Sequence, residues 1–306
     1  MTTTYQTIID KLKEKIPSSA LIQDAPMAEH TSFRAGGKAD LLVTAEDEEQ
    51  LRHALQVLTT EDCPHMLLGN GTNVLVKDGG YRGVILHLGE GFRTIRREGD
   101  SLICGGAALL SAIARKAQQE GLGGFAFASG IPGSMGGAVF MNAGAYGGEM
   151  ADILETVRVI SPDGGEVKTM DVRELDLGYR HSRLQETGDV VTEARIALHP
   201  QDPEEILREM SELTAKRNAK QPVTYPSAGS FFKRPEGYFA GKLIQDAGLK
   251  GLQIGGAQVS SLHSGFIINT GNATATDILR LKEVVQARVY EKFQVKLEPE
   301  VRIIGE

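Results

Sequence analysis

Tyr5, Ile8, Ile9, Leu12 and Ile16 recur at helical spacing with charged residues between them, a pattern that predicts an amphipathic helix. The run ADLLVTAED (39–47) reads as a strand, and in the next stretch Leu51, Ala54, Leu55 and Leu58 share one helical face. In HMLLGNGTNVLVKDGG (65–80) two short apolar runs flank Gly-Asn-Gly-Thr-Asn, so the predicted order is strand, loop, strand. Further strands are predicted at 83–88, 93–97 and 101–106, then a helix at 109–121 with Gly121 placed to cap it. Residues 153–170 form a hairpin around Pro-Asp-Gly-Gly, and 189–198 a strand. Beyond residue 200 the character changes. Helices are predicted within 202–222, 237–251 and 274–293, the last opened by a Thr274 to Asp277 capping box, with strands near 265–269 and 296–305. The fold class is α+β: a strand-rich N-terminal half and an α+β C-terminal domain from about residue 200, without internal repeats.

Composition narrows the function. A chain of 306 residues has ample material for a core or two. Its net charge of −7 argues against a sequence-independent grip on nucleic acid, yet permits a local basic pocket for a phosphorylated small molecule. Cys63 and Cys104 make no C-x-x-C pair and the seven histidines no H-E-x-x-H, so neither a disulfide framework nor a metal site is expected, and a reducing, cytoplasmic setting fits. The charged first helix does not resemble a signal peptide.

Glycine is the outlier, 36 residues of 306 against a usual share of about 7%. Ten of them fall in 121–148, where no residue is charged. Pro132, Asn142 and the glycines make a poor membrane helix. Backbone wrapped against a large, flat, mostly neutral ligand explains the segment better; a tightly packed internal loop is the competing explanation. GNGTNV lacks the third glycine of a dinucleotide fingerprint and leads into a strand, so it is no Rossmann turn, although its amides suit a phosphate nest. There is no Walker motif. Ser230, in YPSAGSFFKRP (225–235), fails the nucleophile elbow because Phe232 stands where a glycine is required. On these residues alone, a serine beside a glycine is ordinary turn chemistry.

Taken together, LGNGTNVLV (68–76), ASGIPGSMGGAVFMNAGAYGGE (128–149), AGSFFKRP (228–235) and LEPEVRIIG (297–305) resemble the bacterial UDP-N-acetylenolpyruvoylglucosamine reductases in content, order and spacing. The resemblance spans nearly the whole chain. It implies an FAD-binding domain of the p-cresol methylhydroxylase (PCMH) type over 1–200, with subdomains of about 1–90 and 91–200, and a substrate-binding domain over 201–306. It further implies reduction, by NADPH through FAD, of the enolpyruvyl ether of UDP-N-acetylglucosamine to UDP-N-acetylmuramate in peptidoglycan precursor synthesis. The expected partners are these small molecules, with no nucleic acid and no membrane. A flavin oxidase of the same fold on another substrate, or a nucleotide-sugar binding protein without flavin, are the alternatives.

The resemblance also assigns residues. Gly69, Asn70, Gly71, Thr72 and Asn73 would cradle the FAD pyrophosphate, and Gly130, Ile131, Pro132, Gly133, Ser134, Gly136, Gly137, Asn142 and Gly144 would line the cofactor. Arg217 and Arg302 are expected near the flavin, and Lys220, Lys233 and Arg234 at the substrate. Hydride addition to the terminal enolpyruvyl carbon leaves negative charge on its neighbour, delocalised into the carboxylate. Arg180 matches the arginine that binds this carboxylate, offering two parallel donors. Ser230 matches the proton donor to the carbon. Glu300 completes the site and is most useful there protonated, which requires a raised pKa; Arg302, two residues on, is expected on the same strand face and would oppose that shift by pairing with it. GYRHSRLQETGDVVTEARIAL lacks the inserted tyrosine segment of the family's longer branch, so this chain looks like the shorter, second type. Tyr225 and Tyr238 are the candidates to close the site in its place.

Overall fold

The computed structural model describes residues 3–306. They fall into two compact units: residues up to Gln23 with Leu41–Asn70 and Gly83–Ala215, and Asp24–Asp40 with Gly71–Arg82 and Lys216–Glu306.

In the first unit the predicted amphipathic face of helix Thr3–Leu12 is buried: Ile8, Ile9, Leu12 and Ile16 join Leu51, Leu55 and Leu58 of helix Glu48–Thr60 in one core with Leu41, Val43, Val84 and Leu86. Asp47 starts the second helix by accepting from the Gln50 amide at 2.8 Å, with Glu48 and Glu49 placed where the helix dipole favours acids. A four-stranded sheet runs Leu21–Pro26, Lys38–Ala45, Tyr81–Leu88, His65–Leu67, the last pair parallel. A five-stranded antiparallel sheet follows, in the order Val167–Asp171, Leu154–Ile160, Val190–Ala197, Ser101–Gly105, Ile95–Glu98. Strand Val190–Ala197 shows the two-residue period: Ala194 and Ile196 are buried, whereas Arg195 points outward and pairs with Glu98 and Glu155.

The uncharged segment lies against this sheet. It is less loop-like than its glycines suggest, because Met135–Phe140 is a short helix whose Met135, Ala138 and Val139 join the core of Leu110, Ile113, Phe125 and Leu154. Gly136 permits the approach: a Cβ there would stand 3.2 Å from the Gly106 carbonyl oxygen and 3.4 Å from that of Val191.

The second unit has its own core, in which Phe33, Ala35 and Leu75 pack with Phe231, Leu243, Ile267, Leu281, Val285 and Leu297. Helix Ala275–Phe293 carries the predicted Thr274–Asp277 capping box. Its first amides have a second acceptor, Asp78, which takes hydrogen bonds from Ala275 N and Thr276 N, both at 2.8 Å, and from Thr276 Oγ1 at 2.6 Å. Strand Arg302–Ile304 pairs in parallel with Val74–Val76. A single boundary near residue 200 therefore does not describe the packing: 24–40 and 71–82 are built into the unit of the C-terminal helices. Among the described residues no helix is long and apolar enough to cross a membrane, and no cluster of His, Cys, Asp or Glu is arranged to hold a metal ion.

Candidate active site

In the second unit a short ladder gathers motifs that are far apart in sequence. Ser230 bridges Phe266, and the Phe231 amide donates to the Gly265 carbonyl at 2.8 Å. On the other side Phe232 bridges Pro299, the Glu300 amide donates to Phe231 O at 2.8 Å, and the Lys233 amide donates to Glu298 O at 2.8 Å. Phe231 and Phe232 are buried, their rings 5.2 Å apart, with Phe33 6.1 Å from Phe231. These aromatics anchor the segment while Ser230 stays exposed after Gly229, whose φ of 74° a glycine adopts without strain. Ser230 and Glu300 thus stand on adjacent backbone segments, Ser230 exposed and Glu300 half-buried.

Asn73 ties the glycine loop to the same ladder. Its Nδ2 donates to Glu300 O at 3.2 Å, and its carbonyl accepts from the Arg302 amide at 3.0 Å. The backbone bends at Val301, so Glu300 pairs with Phe231 and Arg302 with Asn73; they belong to two ladders rather than to one straight strand. Gly71, at φ 62°, lies so close to His30 and Thr31 that a Cβ would come within 2.1 Å of the His30 carbonyl oxygen. The Thr31 hydroxyl beside it is buried without a partner. Arg217 is half-buried near the end of helix Pro203–Lys220, with Lys220 exposed at its last position. Lys233 is half-buried, and the exposed Arg234 stacks its guanidinium 3.9 Å over the Phe239 ring, which is itself 62% exposed. Tyr225 and Tyr238 are both exposed.

His263 backs the ladder. Its Nδ1 accepts from the Gly265 amide at 3.1 Å and its ring meets Phe266 edge-on at 5.0 Å. Burial pulls its pKa below the usual 6.5, and with Nδ1 accepting, the neutral ring carries its proton on Nε2.

In the first unit, Gly69 comes to Ser134: a Cβ at Gly69 would stand 2.8 Å from Ser134 Oγ, a hydroxyl not spent on capping the following helix. Ser129, just before Gly130, has a buried hydroxyl without a partner. Within this unit the close approach of Gly69 to Ser134, the uncharged surroundings and the unpartnered hydroxyl of Ser129 suit a large polar cofactor such as FAD, which brings its own donors and acceptors. Thr31 and Ser129 were not among the residues chosen from sequence, since an unpaired hydroxyl has no sequence signature.

Arg180 occupies the turn between Gly178 and His181, which bridge each other. Its φ is 55°, the left-handed region, where a bulky residue costs about 1 to 2 kcal/mol and a glycine nothing. Its Nη2 donates to Gly144 O at 3.3 Å, and its guanidinium lies 5.3 Å from the centre of the exposed Tyr179 ring. Asn142, expected as a cofactor ligand, is wholly buried, and its carboxamide is engaged within the protein: Nδ2 donates to Gly178 O at 3.0 Å and Oδ1 accepts from Ala151 N at 2.9 Å. Its side chain faces the arginine turn. By contrast Cys104, within strand Ser101–Gly105, is buried, and that burial pushes its thiol up to about 12.

Fold and site define the class, an α+β flavoprotein with an FAD-binding domain of PCMH type and a smaller C-terminal domain. Comparison with known proteins agrees: residues 39–170 match the FAD binding domain family, and 221–304 match the C-terminal domain of UDP-N-acetylenolpyruvoylglucosamine reductase. The UDP-N-acetylenolpyruvoylglucosamine reductase of Alkaliphilus oremlandii is 48% identical over 304 residues, covering 97% of this chain and 100% of its own. That of Caldanaerobacter subterraneus subsp. tengcongensis is 49% identical over 301 residues, covering 98% and 99%. The crystal structure of UDP-N-acetylenolpyruvylglucosamine reductase from Thermus caldophilus matches with a TM-score of 0.80 at 38% identity, over 93% of this chain and 98% of that one. The chain belongs to the UDP-N-acetylenolpyruvoylglucosamine reductase family.

Proposed function

We propose that this protein uses NADPH to reduce the enolpyruvyl ether of UDP-N-acetylglucosamine to UDP-N-acetylmuramate. Family membership supports the reading, and the observation that carries it is the ladder in which Phe231 and Phe232, directly after Ser230, pair with Glu300 and Pro299, with Asn73 of the glycine loop bonded to the same backbone. The chemistry that FAD supplies when bound is hydride transfer from NADPH to the terminal carbon of the enolpyruvyl group. Gly69, Gly71, Ser134, Ser129 and Thr31 are the residues that would hold it, with Arg217 and Arg302 as cations near the flavin.

The protein's own residues handle charge and proton. Arg180 holds the substrate carboxylate through parallel N–H donors, so the charge that spreads into it during reduction is met where it develops. Ser230 delivers a proton from its hydroxyl to the carbon bearing the ether oxygen, completing a lactyl group. Glu300, in its protonated form, donates toward the enolate; as a carboxylate it would repel it. Lys220, Lys233 and Arg234 bind the diphosphate, for which cations on flexible stems suffice. The work of this protein belongs in the cytoplasm, where NADPH and nucleotide sugars are present.

Ser230→Ala tests the assignment. The variant is expected to keep its FAD and to be reduced by NADPH as fast as the parent, while its reoxidation by the enolpyruvyl substrate slows by about 100-fold or more. Normal turnover would remove Ser230 from the mechanism.

A further inference from the structure

The turn that carries Arg180 is held from outside by side chains. Asn142 Nδ2 takes the carbonyl of Gly178, immediately before the Tyr179–Arg180 pair, at 3.0 Å. Gln185 Nε2 takes the carbonyl of Arg180 itself at 3.1 Å, and also that of Phe140 at 2.9 Å. Ser182, wholly buried, donates from Oγ to the same Phe140 carbonyl at 2.7 Å. The peptide groups on either side of the Tyr179–Arg180 link are thus each fixed by an amide side chain, which is what a bulky residue at φ 55° requires if it is not to relax into an ordinary turn.

All these bonds lead to one place. Phe140, Asn142 and Gly144, the last accepting from the Arg180 guanidinium at 3.3 Å, form the end of the uncharged segment. We propose that Asn142, Ser182 and Gln185 are positioning residues for Arg180, locking the carboxylate-binding guanidinium to the segment that lines the cofactor. Asn142 serves this lock through its side chain, not as a cofactor ligand. The inference rests on the reading of Arg180 as the carboxylate ligand. With the arginine's position indexed to the flavin-lining backbone, the substrate carboxylate and the hydride donor are placed by one stretch of chain.

The test is single-turnover reoxidation of the NADPH-reduced holoenzyme by the enolpyruvyl substrate over a range of concentrations. Asn142→Asp, which keeps the acceptor for Ala151 but loses the donor to Gly178, and Gln185→Ala, a change at an exposed position, are each made alone and together with Arg180→Ala. Each single change is expected to raise the half-saturating substrate concentration by roughly tenfold, with bound FAD retained, and to add nothing in the Arg180→Ala background, because both act only through the guanidinium. Parent-like substrate dependence of both single variants beside a crippled Arg180→Ala would overturn the positioning role alone, as would full additivity with Arg180→Ala. Loss of FAD from Asn142→Asp with unchanged substrate dependence would return Asn142 to the cofactor. If Arg180→Ala itself leaves substrate dependence unaltered, the carboxylate assignment fails, and the lock fails with it.

Discussion

Arg180 shows what a single position can cost. A left-handed φ of 55° in the Gly178–His181 turn suits Asn or Gly, and an arginine there carries strain, which the proposed role as carboxylate ligand would explain. Arg180→Asn should therefore leave the melting temperature unchanged or raise it, by up to about 1 kcal/mol of stability, while the substrate half-reaction falls by orders of magnitude. A clearly destabilised variant would show that the turn was not strained. His263 makes a second, independent case. Its half-buried ring is neutral at pH 7, and protonating Nδ1 would break the bond from the Gly265 amide. With the folded pKa below the ordinary 6.5, the unfolded chain binds more protons in the window between the two values, so stability is full above 6.5 and is lost as pH falls toward the folded value. Thermal melts from pH 7 down through 6.5 and below should show this slope, and His263→Gln should flatten it; an unchanged slope would assign the effect elsewhere. At this scale the sequence named Arg180, Ser230 and Glu300 because their motifs are local. It could not show Asn142 reaching Gly178 or Thr31 lying beside Gly71, since those relations exist only after folding.

Among elements, helix Ala275–Phe293 is legible from its period and capping box, and its second cap is not. Asp78 reaches it from a loop almost 200 residues earlier, accepting from two backbone amides and a hydroxyl. Asp78→Ala should cost the protein about 1 to 2 kcal/mol, near the upper end for a helix cap, measured by denaturant unfolding. A loss no larger than that of an ordinary surface substitution would mean that the Thr274 box alone suffices. The short helix Met135–Phe140 was hidden for a different reason: its glycines weaken helix propensity, and packing of Met135, Ala138 and Val139 overrides it. The edges of the strands near Ser230 were equally obscure. Single bridges such as Ser230 with Phe266 and Phe232 with Pro299 leave no alternating pattern to read.

For the whole molecule, the α+β class and the order of elements follow from the pattern of apolar runs, but the division into units does not. The chain passes from one unit to the other inside strands Leu21–Pro26, Lys38–Ala45 and Tyr81–Leu88 and inside helix Pro203–Lys220, where no linker composition marks the change. Phe33, Ala35 and Leu75 look like any apolar residues of an N-terminal domain until they are found in the core of Phe231 and Leu281. The glycine loop is continuous with this unit from Gly71 on, which is how Asn73 comes to bond Glu300.

On the proposed function this one chain carries both half-reactions. The direct measurement is the anaerobic absorbance of the purified holoenzyme near 450 nm, where oxidised flavins absorb, first with NADPH and then with UDP-N-acetylglucosamine enolpyruvate. Bleaching by NADPH and full return of the band on adding the substrate, with UDP-N-acetylmuramate as product, are expected. Bleaching without return would contradict the assigned substrate, and a protein that binds no flavin would contradict the account at its root.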